Sequence, residues 1–223
     1  MMRYFFLIFL LYFSSSVNAQ KSDTLFLKRI TSNKHYSFYN AIFVDTSAKF
    51  KSVLTNFDID EKDDEMYFKA LSELKNLKNQ KNYWKDDFPK RWTALYQHKG
   101  KYYLYCPSDL GFHKQFEVTD STLVSYGMEG FQPSQINKIS FPSSSLALID
   151  VSNAAGEQQV QIKIIDSEKG IAVFSISQLP HNDLHKVLMV DASKIHLFPV
   201  IVNYCATDKV TEFDFDVMDF DKL

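Results

Sequence analysis

The sequence predicts an α+β protein: an N-terminal hairpin and two helices packed on a large antiparallel β-meander, either a barrel or a two-layer sheet. Three observations predict it. Residues 158–177, QQVQIKIIDSEKGIAVFSIS, place Val160, Ile162 and Ile164 on one face and Gln159, Gln161 and Lys163 on the other, the period of a strand with one wet side. Helical periodicity is confined to residues 45–78. From residue 91 onward, β-rich segments follow one another with short connections, so sequence neighbours pair, and a sheet of that size curls shut or splits.

Taken in order, residues 1–19 read as a secretory signal. Arg3 gives a basic start, residues 4–13 are an apolar run, and Val17-Asn18-Ala19 fits signal peptidase, with cleavage before Gln20. Ten apolar residues are too few to span a bilayer, and no later run is long enough. The predicted location is therefore exported, periplasmic or extracellular, with no membrane span after cleavage. Residues 20–223 are read as a single α+β domain, with residues 79–89 as the candidate subdomain boundary.

Residues 23–30 and 36–44 read as two strands of a hairpin about Thr31-Ser32-Asn33-Lys34. A first helix is predicted after Asp45 or Thr46, because Phe50, Val53, Leu54 and Phe57 fall at i, i+3, i+4 and i+7. A second is predicted over residues 61–78. Acids fill its first turns, lysines its last, and Tyr67, Leu71 and Leu74 lie on the face expected to meet the sheet. Strands are expected at 91–98 and 101–106 about Lys99-Gly100, then at 115–119, 122–126, 136–141 and 146–151. The hairpin already described follows, turning at Asp166–Gly170, and further strands are expected at 186–190, 195–203 and 211–217.

Composition excludes several function classes. The formal charge is −2, one unit more negative once Arg3 leaves with the signal, which argues against nucleic acid as the partner. Six glycines provide neither a G-x-G-x-x-G fingerprint nor a P-loop, and no other motif asks for a cofactor. No G-x-S-x-G elbow occurs.

Three residue sets are candidate sites. Trp92, Tyr96, Tyr102, Tyr103 and Tyr105 concentrate aromatic groups in one hairpin. If exposed, they would stack on a sugar or anchor a protein; if not, they pack across strands. His181, Asp183 and His185 space two imidazoles four apart, as a helical zinc site would need. Pro180 and the strand-like residues that follow favour a polar loop instead. Cys106 and Cys205 are the only cysteines. In an oxidising compartment they would close a loop of about 100 residues, worth at most ~4.7 kcal/mol in the chain-entropy model. The acidic alternation of residues 211–217 reads as a charged edge strand that blocks aggregation.

The resulting expectation is an exported binding protein whose ligand is a protein, a glycan or an apolar small molecule. The alternatives are an exported hydrolase with scattered catalytic groups and a periplasmic inhibitor or immunity-type protein.

Overall fold

The computed structural model describes residues 25–31, 39–46, 49–57, 61–74, 84–108, 114–127, 130–178, 183–205 and 211–223. The predicted signal and Gln20 lie outside them. Thirteen strands and one α-helix organise the described chain. β1 (Leu25–Thr31) and β2 (Tyr39–Asp45) form the expected antiparallel hairpin. α1 spans Glu61–Glu73.

Strands β3 (Arg91–Ala94), β4 (Tyr96–His98) and β5 (Lys101–Cys106) come next. After β6 (Gln115–Val118) and β7 (Thr122–Gly127), the long β8 (Gly130–Ser143) pairs with β9 (Leu146–Asn153). Then come β10 (Gly156–Asp166), β11 (Ile171–Gln178), β12 (Asp183–Asp191) and β13 (Val200–Tyr204).

Eight of these strands close an antiparallel barrel in the order β3-β6-β7-β8-β9-β10-β11-β12, and β12 returns to β3. The predicted meander holds from β6 to β12. The closing strand is the exception: β3 precedes the meander in sequence and is inserted between its two ends. Alternation then sorts side chains. Val160 and Ile162 of β10, Ala172 and Phe174 of β11, and Met189 of β12 point inward with Trp92, Ile136 and Ile149. On β8 the inward set passes from Ile136 to Ile139 across a bulge between Ile136 and Lys138, where one extra residue restores the phase.

The barrel interior is packed with side chains. Trp92 is fully buried, with its ring 5.3 Å from Phe174 at 70°, and Phe174 stacks on Phe116 at 5.3 Å. One end is plugged by the turn before β3. Trp84 and Phe88 meet Phe141 at 5.2 and 5.4 Å, while Trp84 Nε1 donates to the Phe88 carbonyl and Trp92 Nε1 to that of Pro89. Within residues 79–89, Trp84 and Phe88 are thus buried in the barrel core.

The outer face of β11 and β12 carries a second layer. The predicted strand over residues 91–98 breaks at Leu95: β3 stays in the barrel, and β4 leaves for a five-stranded sheet of order β1-β2-β13-β5-β4. Ile171, Val173, Leu188 and Val190 of the barrel pack against Leu104, Val200 and Val202 of that sheet. β13 runs parallel to β5, with Val202 opposite Cys106, so this sheet is not a simple meander. The β4–β5 turn has positive φ at both Lys99 (51°) and Gly100 (73°), the twist-matched geometry of a two-residue hairpin loop.

Four expectations need correction. The stripe at residues 50–57 is not an α-helix; it is a set of turns around a 3-10 segment at Val53–Thr55, held on the barrel wall by Gln115 Nε2 donating to the Leu54 carbonyl at 2.5 Å. Its apolar spacing served burial of Leu54 and Phe57, which turns achieve as well as a helix does. The expected strand at 195–203 begins only at Val200, because Asp191 caps a 3-10 segment (Ala192–Leu197) by accepting from Ser193 N. The expected strand at 211–217 has no ladder partner, for reasons given below. α1 does meet the sheet, at β8, with Tyr67 6.4 Å from Phe131, but Leu71 and Leu74 are only half-buried, so this face is peripheral to the core.

Because the interior is close-packed, removing its central ring leaves a void that the closed ladder cannot collapse. Phe174→Ala is expected to cost about 3–5 kcal/mol in urea denaturation. A loss under about 1 kcal/mol would show the barrel interior to be loosely filled.

Candidate functional site

The end of the barrel opposite the aromatic plug is built differently. Here β3 ends at Ala94, β6 begins, and β12 begins. His185 and Val187 share the inward-facing parity of Met189, and the inward side of this end also carries Ile176, opposite His185 in the ladder. The break at Leu95 turns Tyr96 and Gln97 away and leaves an opening. It is a pocket of about 250 Å³, walled by Leu95, Tyr96, Val187 and Leu188 on the barrel side. Residues 215–220 form the other wall, contributing Phe215, Met218 and Phe220.

That second wall is the segment 211–223, which crosses the outer face of the small sheet as an extended strap. Phe213 and Phe215 cover Ile42, Val44, Tyr105 and Ile201, and Phe215 stacks on Tyr96 at 4.5 Å and 26°. The alternation in its sequence is therefore real, but the apolar side chains face a sheet surface and the segment joins no ladder. One backbone bond, Asp216 N to the Gln97 carbonyl at 2.9 Å, ties it to β4.

The strap is pinned at both ends. At one end, Glu212 accepts from the Tyr105 hydroxyl, from Ser108 Oγ at 2.7 Å and from Asn203 Nδ2 at 3.2 Å. Phe213 N donates to Tyr105 Oη at 2.9 Å. Burial pushes the Glu212 carboxyl upward, but these donors together outweigh it and hold the group below its ordinary value. Burial, and then the hydrogen bond to Glu212, push the Tyr105 phenol far up; burial, aided by the Glu212 charge, pushes Tyr96 up to about 12. At the other end, Lys186 Nζ meets Asp221 at 2.9 Å and Lys163 Nζ donates to the Leu223 carbonyl at 3.0 Å.

At the pocket's rim, Lys114 Nζ lies 3.4 Å from His185 Nε2. An ammonium can only donate, so this contact places the imidazole proton on Nδ1. Burial, followed by the Lys114 charge, holds the His185 pKa below its ordinary value, so the ring is neutral at pH 7.

The residues singled out in the sequence fare differently. Trp92 lies inside the barrel, and Tyr105 lies under the strap with its hydroxyl committed to Glu212. Tyr102 and Tyr103 are half-buried on opposite faces of the small sheet, so the five aromatics do not form one exposed platform. Tyr96 alone reaches the pocket. His181 lies outside the described residues. Asp183 and His185 belong to a strand, which cannot bring residues four apart onto one helical face. Among the described residues no three His, Cys, Asp or Glu side chains cluster as a metal site. Cys106 and Cys205 are not bridged. Burial, with the Glu212 charge second, pushes the Cys106 thiol up and makes it a poor nucleophile.

Lys114, Phe215, Met218 and Phe220 were missed by sequence reasoning. Only the alternation of residues 211–217 hinted at the strap. Two wider clefts lie elsewhere: one of about 560 Å³ between α1 and the β8–β9 edge, and one of about 590 Å³ beside Arg91. In the second, Arg91 Nε is paired with Glu117 at 2.7 Å, and Tyr126 Oη lies 2.7 Å from Glu117 and 3.2 Å from the Phe57 carbonyl. That network anchors the 49–57 turns to the wall.

These features define a class by architecture: a closed, side-chain-filled eight-stranded antiparallel barrel, backed by a mixed five-stranded sheet and a C-terminal strap. No protein-family model, no curated protein and no solved structure matches the chain.

The strap's hold depends on ionised Glu212. With its folded-state pKa below the ordinary 4.5, its contribution is complete above that pH and is lost as pH falls through the folded value. Glu212→Gln is expected to lose about 1–2 kcal/mol at pH 7 and to show a shallower acid limb than the parent in urea midpoints between pH 6 and 3. An unchanged acid limb would remove Glu212 from the latch.

Proposed function

We propose that this is an exported binding protein that captures an apolar small molecule at the open end of the barrel, against the strap. The observation that supports this is the pocket itself: an apolar, aromatic-edged recess formed where a barrel strand breaks, and walled by a segment that has no ladder of its own. The filled interior leaves the mouth, not the lumen, as the place for a ligand. At about 30 Å³ per water-sized group, the pocket holds on the order of eight non-hydrogen atoms.

The direct test is titration with n-hexanol and p-cresol, followed by amide NMR. Shifts are expected to centre on residues 95–97, 185–188 and 215–220. Met218→Asp puts a charge in the half-buried wall, outside the barrel interior, and is expected to weaken both ligands at least about tenfold in protein that the urea midpoint shows to be folded. Shifts spread evenly over the surface, or binding indifferent to Met218→Asp, would overturn the pocket as the site.

The exported location rests on the basic, apolar, small-residue order of residues 1–19. N-terminal sequencing of material recovered from the cell envelope or medium of the native producer is expected to begin at Gln20. Material beginning at Met1 would refute it.

A further inference from the structure

Resting on the pocket reading above, we infer that the ligand is an amphipathic anion: a short apolar body carrying a carboxylate, with Lys114 holding the acid group at the rim.

The charges around the pocket carry this inference. Three basic side chains and one acid line it: Lys114, His185, Lys186 and Asp216. Lys186 is already paired with Asp221 on the strap. Asp216 is turned toward the β4–β5 hairpin, where its Oδ2 accepts from Gly100 N at 3.4 Å and its Oδ1 lies 3.9 Å from His98 Nδ1. Lys114 has no carboxylate partner among the described residues; its contact is the neutral imidazole of His185. The ammonium therefore stands at the mouth of an apolar recess with no carboxylate among the described residues to compensate its charge.

The histidine orients the lysine without neutralising it. Because Nε2 accepts from Lys114, the ring proton sits on Nδ1, on the side of the ring away from the ammonium, and the imidazole does not compete as an anion for that charge. An ammonium keeps further N–H donors beyond the one that meets Nε2, and these suit a carboxylate oxygen. The lining is otherwise mostly apolar: Leu95, Val187, Leu188, Met218 and Phe220 form it, with Phe215 and Tyr96 at one side and Gln97 beside them. A charged or heavily hydroxylated body would leave its polar groups unsatisfied there. The recess, of about 250 Å³, matches a six-carbon acid in size.

The probes are hexanoate, n-hexanol and n-hexylamine, titrated by calorimetry at pH 7 into the whole protein and into Lys114→Met, which keeps the stem and removes the charge. The expected order is hexanoate about tenfold tighter than n-hexanol, with n-hexylamine weakest. Lys114→Met is expected to bring hexanoate down to the n-hexanol level while leaving n-hexanol unchanged. Equal binding of acid and alcohol by the parent, or a loss in Lys114→Met shared by both, would overturn the carboxylate assignment while the pocket reading stands. Binding of none of the three would remove both. A Lys114→Met protein whose urea midpoint falls is replaced by Lys114→Gln, and the same acid-to-alcohol ratio decides.

Discussion

The structure depends on closing a ladder around Trp92. β3 is the keystone strand: four residues long, it pairs with β12 on one side and β6 on the other. Without it the meander from β6 to β12 would have two open edges, each presenting unpaired backbone groups. Its indole fills the centre of the barrel and reaches rings on two sides, Phe174 inside and Phe88 in the plug. Burial of so large a side chain stabilises the closed form well beyond what six register pairs of a short strand contribute.

Closure has a consequence at each end. At one end, the turn leading into β3 is drawn in as a plug of Trp84 and Phe88. At the other, the chain must leave the barrel, and the break at Leu95 hands it to a second sheet packed on the outer face of β11 and β12. The same break leaves the recess between Ala94, Leu188 and the strap. The candidate site is thus a by-product of topology: a strand that closes one sheet and then joins another cannot cover its own exit.

The strap completes that geometry by electrostatics and packing together. An extended segment without ladder bonds would fray if only Phe213 and Phe215 held it. The Glu212 carboxylate, satisfied by Tyr105, Ser108 and Asn203, fixes one end in register, and Asp221 and the Leu223 carbonyl fix the other on Lys186 and Lys163. Between those anchors only Val217 is left almost wholly exposed, so the strap presents Phe215, Met218 and Phe220 to the pocket and little apolar surface to water. Acid release of Glu212 would therefore loosen one wall of the recess before it reached the barrel.

Local pattern carried what local physics controls. The 158–177 hairpin, its Gly170 turn at φ 68°, the Lys99-Gly100 turn, the meander from β6 to β12 and the helix at Glu61–Glu73 are all legible in the sequence, because alternation, turn chemistry and capping act between neighbours. The alternation of residues 211–217 was legible too, but not its meaning, since a strand and a strap on a sheet face demand the same period of two. The tertiary structure alone decided that β3 closes a barrel, that β13 inserts parallel to β5, that residues 50–57 need turns and not a helix, and that Lys114 meets His185 across 71 positions of sequence. Those outcomes depend on which surfaces are left to bury once the ladder has closed, and no window of sequence contains both partners.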